Sequence, residues 1–531
     1  MKKLMGSLFL ALFGIVLVSC SENALPSGSA EPSIPSTQEE VITKREDNVE
    51  FSYVSLVKKE DKGIATAHTK YYDDYFSLDN TKLDLDLAEF LLALTLTSSN
   101  RNIKVKRGDA EPYIDYARNG DDLKAFYNTI GYSDIELSPT YTIETTEDSI
   151  ALGIAKKKIG EFDCLLVGIR SGGYNNEWVS NFDLGLEGNH NGFNVAKAYA
   201  LSFIESYITS KSLDVSKTKI MVTGYSRGGA VANLVTNELD MIANNQQSNT
   251  VLSRLNKDYI YGYTFEAPNV AMEEDVEKNL EINKNIFNFY NSQDLIVYVL
   301  PNSLGFYKYG IDVMLDSFIS KYDYYLSISR EIRNILGDDE EDYVPNRFIQ
   351  YEDVKVKTET VNGEEKTTTI KTLYETPEKF YPFIVDKLFS SFDIATREDF
   401  VTKKGDVLKG LVKSFMSLYV ASKGVDESDE EIEETPSVVS TLINGLFENV
   451  KSMEDVMKLK DTFKGLLTAL FFLVTPAPSD EVKLGASTLV DEVFDNFLPQ
   501  VNIVALNNLY SSITYHFPDL NFALLRAINK K

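Results

Sequence analysis

The sequence predicts an α/β fold: a mostly parallel sheet with helices on both faces, plus a large, mainly helical insertion containing a β-hairpin. Three observations lead there. Between residues 153 and 290, short apolar runs alternate with helical patterns, the order a parallel sheet requires. At one of these strand-to-helix passages stands a glycine-flanked serine, Gly224-Tyr225-Ser226-Arg227-Gly228. After Gly310 the alternation stops, and most of 377–498 reads as helix.

Taken in order, residues 1–19 read as a signal peptide. Lys2 and Lys3 precede an apolar run, 8–18, that is too short to span a bilayer. Leu17-Val18-Ser19-Cys20 then resembles the bacterial lipobox, which implies that Cys20 is acylated and becomes the mature N-terminus. The expected location is the cell envelope, on a lipid anchor, facing the periplasm or the exterior. Residues 20–50, rich in Ser, Pro and Glu without an apolar period, read as a flexible tether. A core over 51–310 follows. Within it, 85–97 reads as helix, 164–169 as buried strand, and 193–208 as helix with Val195, Tyr199, Phe203 and Tyr207 at four-residue spacing along one face. Strand 220–223, helix 228–242 and strands 259–265 and 286–290 complete it. The insertion spans 311–499, with Asn362-Gly363 marking a two-residue hairpin and 426–434 an acidic solvated loop. Residues 500–531 return to the core.

Composition narrows the partners. The 531 residues carry a formal charge of -27, so a nucleic-acid partner is excluded and attraction to anionic headgroups is disfavoured. Membrane attachment then falls to the acyl anchor. Hydrophobic residues make up 43% of the chain, enough for a large core and more than one domain. Of the two cysteines, Cys164 lies in an apolar run and reads as a small buried hydrophobe; with Cys20 acylated, no intramolecular disulfide forms. No metal or organic cofactor is implied, because His, Cys and carboxylates show no ligand spacing. Nothing in the sequence sets the oligomeric state.

The run 219–223 is strand-like, and 230–235 opens an apolar helix, so Ser226 reads as a nucleophile at a strained strand-to-helix turn. The helix N-terminus, beginning with the Arg227 N–H, would face a developing oxyanion. A serine hydroxyl needs an imidazole to take its proton and a carboxylate to orient that imidazole. Of three histidines only His516 follows Ser226, as the order Ser, Asp or Glu, His demands; His68 and His190 precede it. Asp294, just past strand 286–290, is the candidate acid, with Glu266 as the rival carboxylate.

These motifs resemble those of the class 3 lipases. Ser226-Arg227-Gly228-Gly229-Ala230-Val231-Ala232 is similar to the family's elbow and helix start. Tyr263-Thr264-Phe265-Glu266-Ala267-Pro268 is similar to its T-F-G-A-P strand end, and 288–294 to the stretch bearing its acid. Ile169-Arg170-Ser171-Gly172-Gly173, with Trp178, resembles its oxyanion loop; His190-Asn191-Gly192-Phe193 resembles its H-x-G-F helix start. The resemblance implies an α/β-hydrolase-like fold, His516 as base, His190 as structural, and the backbone N–H of Gly172 as second oxyanion donor beside Arg227. Departures are Ser171-Gly172, inverted relative to the family, Tyr225 and Arg227 in place of His and Leu, and Glu266 in place of glycine. The implied activity is cleavage of carboxylic esters, lipids or acylated compounds, through a Ser226-His516-Asp294 triad and an acyl-enzyme. Two alternatives stay open: a peptidase or thioesterase on the same triad, and a surface lipoprotein using the fold as a binding module.

Overall fold

The computed structural model describes residues 44–55, 64–101, 103–105, 113–143, 146, 149–171, 176–245, 250–298, 300, 302–315, 355–361, 364–370, 394–404 and 515–530, with isolated positions between 330 and 495. The expected leader, Cys20, Gly172 and the acidic loop 426–434 lie outside these residues.

The chain opens on an antiparallel hairpin of β1 (Arg45–Val54) and β2 (Ile64–Tyr72). The tether boundary expected at residue 50 is therefore too late. Val49, Phe51 and Tyr53 alternate inward and are buried, a period of two masked in the sequence by the charged Arg45, Glu46 and Glu50. Helix α1 (Leu85–Thr97) starts where Asp84 caps the Leu87 N–H at 2.8 Å. It is buried from Leu87 to Thr97, the condition of a helix apolar on every side. A short pair, β3 (Ile103–Val105) and β4 (Tyr113–Asp115), precedes α2 (Asp121–Thr129).

The central sheet then forms from β5 (Ser133–Leu137), β6 (Leu152–Ile159) and β7 (Phe162–Ile169), followed by α3 (Asn191–Ser210), β8 (Thr218–Tyr225), α4 (Arg227–Asn245) and β9 (Ile260–Phe265). After β10 (Ala271–Met272) and α5 (Glu273–Asn279) come β11 (Ile286–Tyr290), β12 (Phe306–Tyr307) and β13 (Ile311–Met314). The seven strands run in the order β13-β11-β9-β8-β7-β6-β5. Pairs from β7 to β13 are parallel, while β6 pairs antiparallel with both β5 and β7. The sheet is mostly parallel with helices on both faces, an α/β-hydrolase-like fold. α1 packs on the face bearing Gly168, and α4 on the opposite face, where Gly262 meets Thr236. The last helix, α6 (Pro518–Asn529), packs on α1.

Two further expectations need correction. Residues 311–314 belong to the core and not to the insertion, because β13 is the parallel edge partner of β11. On α3 the buried face is Phe193, Ala196, Ala200, Ile204 and Tyr207, while Val195 and Tyr199 are exposed. α3 packs on α4, and small side chains on a buried face permit close helix approach. In the insertion, β14 (Lys355–Val361) pairs antiparallel with β15 (Glu364–Ile370), leaving Asn362 and Gly363 between the paired Val361 and Glu364. Among the described residues no helix is long and apolar enough to cross a membrane.

Candidate active site

Ser226 occupies the step between β8 and α4 with φ +53, in the left-handed region that costs a non-glycine residue energy. The turn is held from both sides. Ser226 N–H donates to Phe265 O at 2.8 Å, and Ala230 N–H donates to Ser226 O at 2.9 Å as the first turn of α4 closes. Its glycines are obligatory: a Cβ on Gly224 would lie 2.2 Å from Gly228 O, and one on Gly228 2.5 Å from Arg170 O.

Three residues from three segments converge here. His516 Nε2 lies 2.8 Å from Ser226 Oγ, and His516 Nδ1 lies 2.6 Å from Asp294 Oδ2. Asp294 is fully buried, at 0% exposure, and Ser226 is 6% exposed. The His516 side chain retains 15%, so the site opens at the imidazole and serine and is closed at the acid. Asp294 sits in the turn after β11, where its own Oδ1 accepts from Ile296 N–H at 2.8 Å. With one oxygen on the backbone and the other on the imidazole, the carboxylate has a single orientation.

The remaining candidates are placed as follows. Arg227 is the first residue of α4; its guanidinium points away, donating to Asn181 Oδ1 at 3.0 Å and Ser149 O at 3.2 Å. Gly172 lies outside the described residues. Just before it, Arg170 follows the last residue of β7 and forms an ion pair with Glu177, both buried. His190 takes no part in these contacts: it caps α3, accepting at Nδ1 from Phe193 N–H at 3.3 Å, with Nε2 3.0 Å from Asn181 O. Burial, with the charges of Arg227 and Arg397, pushes its pKa down to about 3, so the ring is neutral. Glu266 does not hold the imidazole. It is fully buried and hydrogen-bonded to Asp294, and burial together with the Asp294 charge raises it well above the usual carboxylate range. Among the described residues no group of three His, Cys, Asp or Glu side chains is placed to hold a metal ion.

Sequence reasoning missed the residues that hold the His516 loop. Tyr225 Oη donates to His516 O at 3.0 Å, and Asn521 Nδ2 donates to Tyr225 Oη at 2.8 Å and Tyr515 O at 2.7 Å. Asp519 Oδ1 accepts from Tyr53 Oη at 3.0 Å and Ser55 Oγ at 2.6 Å, tying the N-terminal hairpin to the start of α6. The one signal available was Tyr225 itself, which stands where the class 3 pattern has histidine.

Residues 167–303 match the family model of the class 3 lipases. This portion of the chain is class 3 lipase-like, and that class is one of carboxylic ester hydrolases. No curated protein matches the chain in sequence. Among solved structures it is similar to a triacylglycerol lipase described as having a serine-protease triad at its catalytic centre, at 16% identity over 44% of this chain and 82% of that one, TM-score 0.31. Lipase II from Rhizopus niveus matches at 14% identity over 43% of this chain and 80% of that one, TM-score 0.31. The mono- and diacylglycerol lipase from Aspergillus oryzae matches at 19% identity over 42% and 77%, TM-score 0.28.

Proposed function

We propose that the protein hydrolyses carboxylic esters, those of lipids or other acylated compounds, through an acyl-enzyme on Ser226. The observation that carries this reading is the unbroken line Ser226 Oγ, His516 Nε2, His516 Nδ1, Asp294 Oδ2, at 2.8 Å and 2.6 Å. Ser226 Oγ attacks the ester carbonyl carbon as Nε2 takes its proton. The carbon–oxygen bond to the alcohol then breaks, and Nε2 returns that proton to the departing oxygen. Water repeats the sequence on the acyl-enzyme and releases the acid. Asp294 orients the ring and stabilises its cation. The N–H groups of Arg227 and Gly172 are the proposed oxyanion donors, each contributing about 3 kcal/mol to the transition state.

The same triad would serve a peptidase or thioesterase, so the leaving group is a matter for substrate panels. Labelling with a fluorophosphonate probe tests the chemistry directly. Covalent modification of the wild type and none of Ser226→Ala is the expected result. An unlabelled wild type would favour the binding-module alternative.

We further propose that Cys20 carries lipid and holds this domain at the cell envelope. Its support is the charged, apolar and lipobox-like order of residues 1–20.

A further inference from the structure

Glu266 is an unusual residue for its place. It leaves β9 with φ +46, a conformation that suits glycine, yet carries a fully buried carboxyl. Its backbone is held by Phe289 O, which accepts from Glu266 N–H at 2.9 Å. Both carboxyl oxygens lie 3.0 Å from the Asn291 N, which donates to them, and the carboxyl is hydrogen-bonded to that of Asp294. Carboxylates only accept, so two in hydrogen-bond contact must share a proton.

The other groups bearing on Glu266 are few. Lys308 favours its ionised form but is partly engaged elsewhere, 3.5 Å from Ala267 O and 3.7 Å from Asp312. Tyr225 faces it from the end of β8, with Asp519 and Asp294 also acting on that phenol. Burial first, then the Asp294 charge, outweigh Lys308 and keep the proton on Glu266. His516 Nδ1 bears on Asp294 directly, 2.6 Å from its Oδ2.

We propose that Glu266 is a positioning residue for the triad acid: as a neutral carboxylic acid it donates a hydrogen bond to Asp294, fixing that carboxylate and tempering its pull on His516. The kinetic consequences rest on the ester-hydrolase reading; the hydrogen bond does not. Without the donor, Asp294 becomes more basic and holds the His516 cation more tightly in the resting enzyme. The acidic limb of kcat/KM then moves to higher pH, and kcat falls while KM stays.

The test compares wild type, Glu266→Gly and Glu266→Gln. Glycine accepts the positive φ, and glutamine keeps both a donor for Asp294 and an acceptor for Asn291. Glu266→Gly should lower kcat about tenfold and raise the acidic limb by about half a pH unit. Glu266→Gln should restore most of both. Wild-type profiles in both variants would overturn the proposal. Two readouts need no ester turnover. The infrared difference between wild type and Glu266→Gln at neutral pH should contain the carbonyl stretch of a protonated carboxyl, and its absence would overturn the proposal even if the glycine variant does not fold. Titration of His516 by NMR, with only three histidines to resolve, should move upward in Glu266→Gly. A wild type that cleaves no ester sinks the hydrolase reading alone, and these two measurements still decide on Glu266.

Discussion

Tyr225 donates its phenolic proton to the main-chain carbonyl of His516 at 3.0 Å, joining residues 291 positions apart. The residue before Ser226 thus positions the loop that carries His516. Asn521 completes the frame: it reaches Tyr225 at 2.8 Å, and its Oδ1 lies 3.4 Å from the Asn291 Nδ2 of the acid turn.

Tyr225→Phe should therefore damage catalysis without emptying the pocket. A drop in kcat of about tenfold at nearly constant KM, with about 1 kcal/mol lost in urea unfolding, is the expected result. Unchanged kcat would show that the His516 loop holds its position without this bond.

Ser226→Ala should reduce hydrolysis of short p-nitrophenyl esters by a factor on the order of 10⁴ or more. Members of one catalytic unit act together, so adding His516→Ala should cost little further. Steady-state rates of the two single variants and the double variant check both statements; most activity surviving in Ser226→Ala would end the elbow assignment.

His190→Ala should instead cost stability, about 1–2 kcal/mol for the lost helix cap, and retain most activity in whatever fraction folds. The sign of its pH dependence is fixed by its neutral burial. The folded pKa, about 3, lies below the ordinary 6.5, so the unfolded chain binds the proton first. Its contribution is whole above about pH 6.5 and falls as pH drops toward about 3, by about 1.4 kcal/mol per unit. Urea midpoints of wild type and variant should therefore converge within about one to two pH units below 6.5 and then cross, the variant being the more stable at lower pH.

If Cys20 carries the proposed lipid anchor, Cys20→Ala should move the protein from the membrane to the soluble fraction. Unchanged partition on fractionation would point to another anchor.

The insertion touches the core at a defined place. Arg397, 7% exposed, donates to the carbonyl oxygens of Leu184, Gly185, Glu187 and Gly188, the segment that leads into α3. Replacing 316–499 by a short linker, which keeps β13 in the sheet, should preserve activity on acetate or butyrate esters and change the preference among longer chains. Superimposable chain-length profiles would show that the insertion does not shape the pocket.

Several features were legible because they are local. The bounds of α1 and β11 follow from apolar runs and a capping aspartate, and the hairpin follows from Asn362-Gly363. The elbow was visible because its steric demands fall on adjacent residues, Gly224 and Gly228. Chain order and a scarcity of histidines singled out His516, and position after a strand singled out Asp294. Tertiary structure alone decided the rest. It set β13 as a sheet edge, Ala196 and Ala200 as the buried face of α3, Tyr225 and Asn521 as supports of the His516 loop, and Glu266 as the partner of Asp294. Each of these depends on what a distant segment presents. Partner distance, packing volume and the loss of water around a carboxyl are properties of the assembled core, and no local periodicity encodes them.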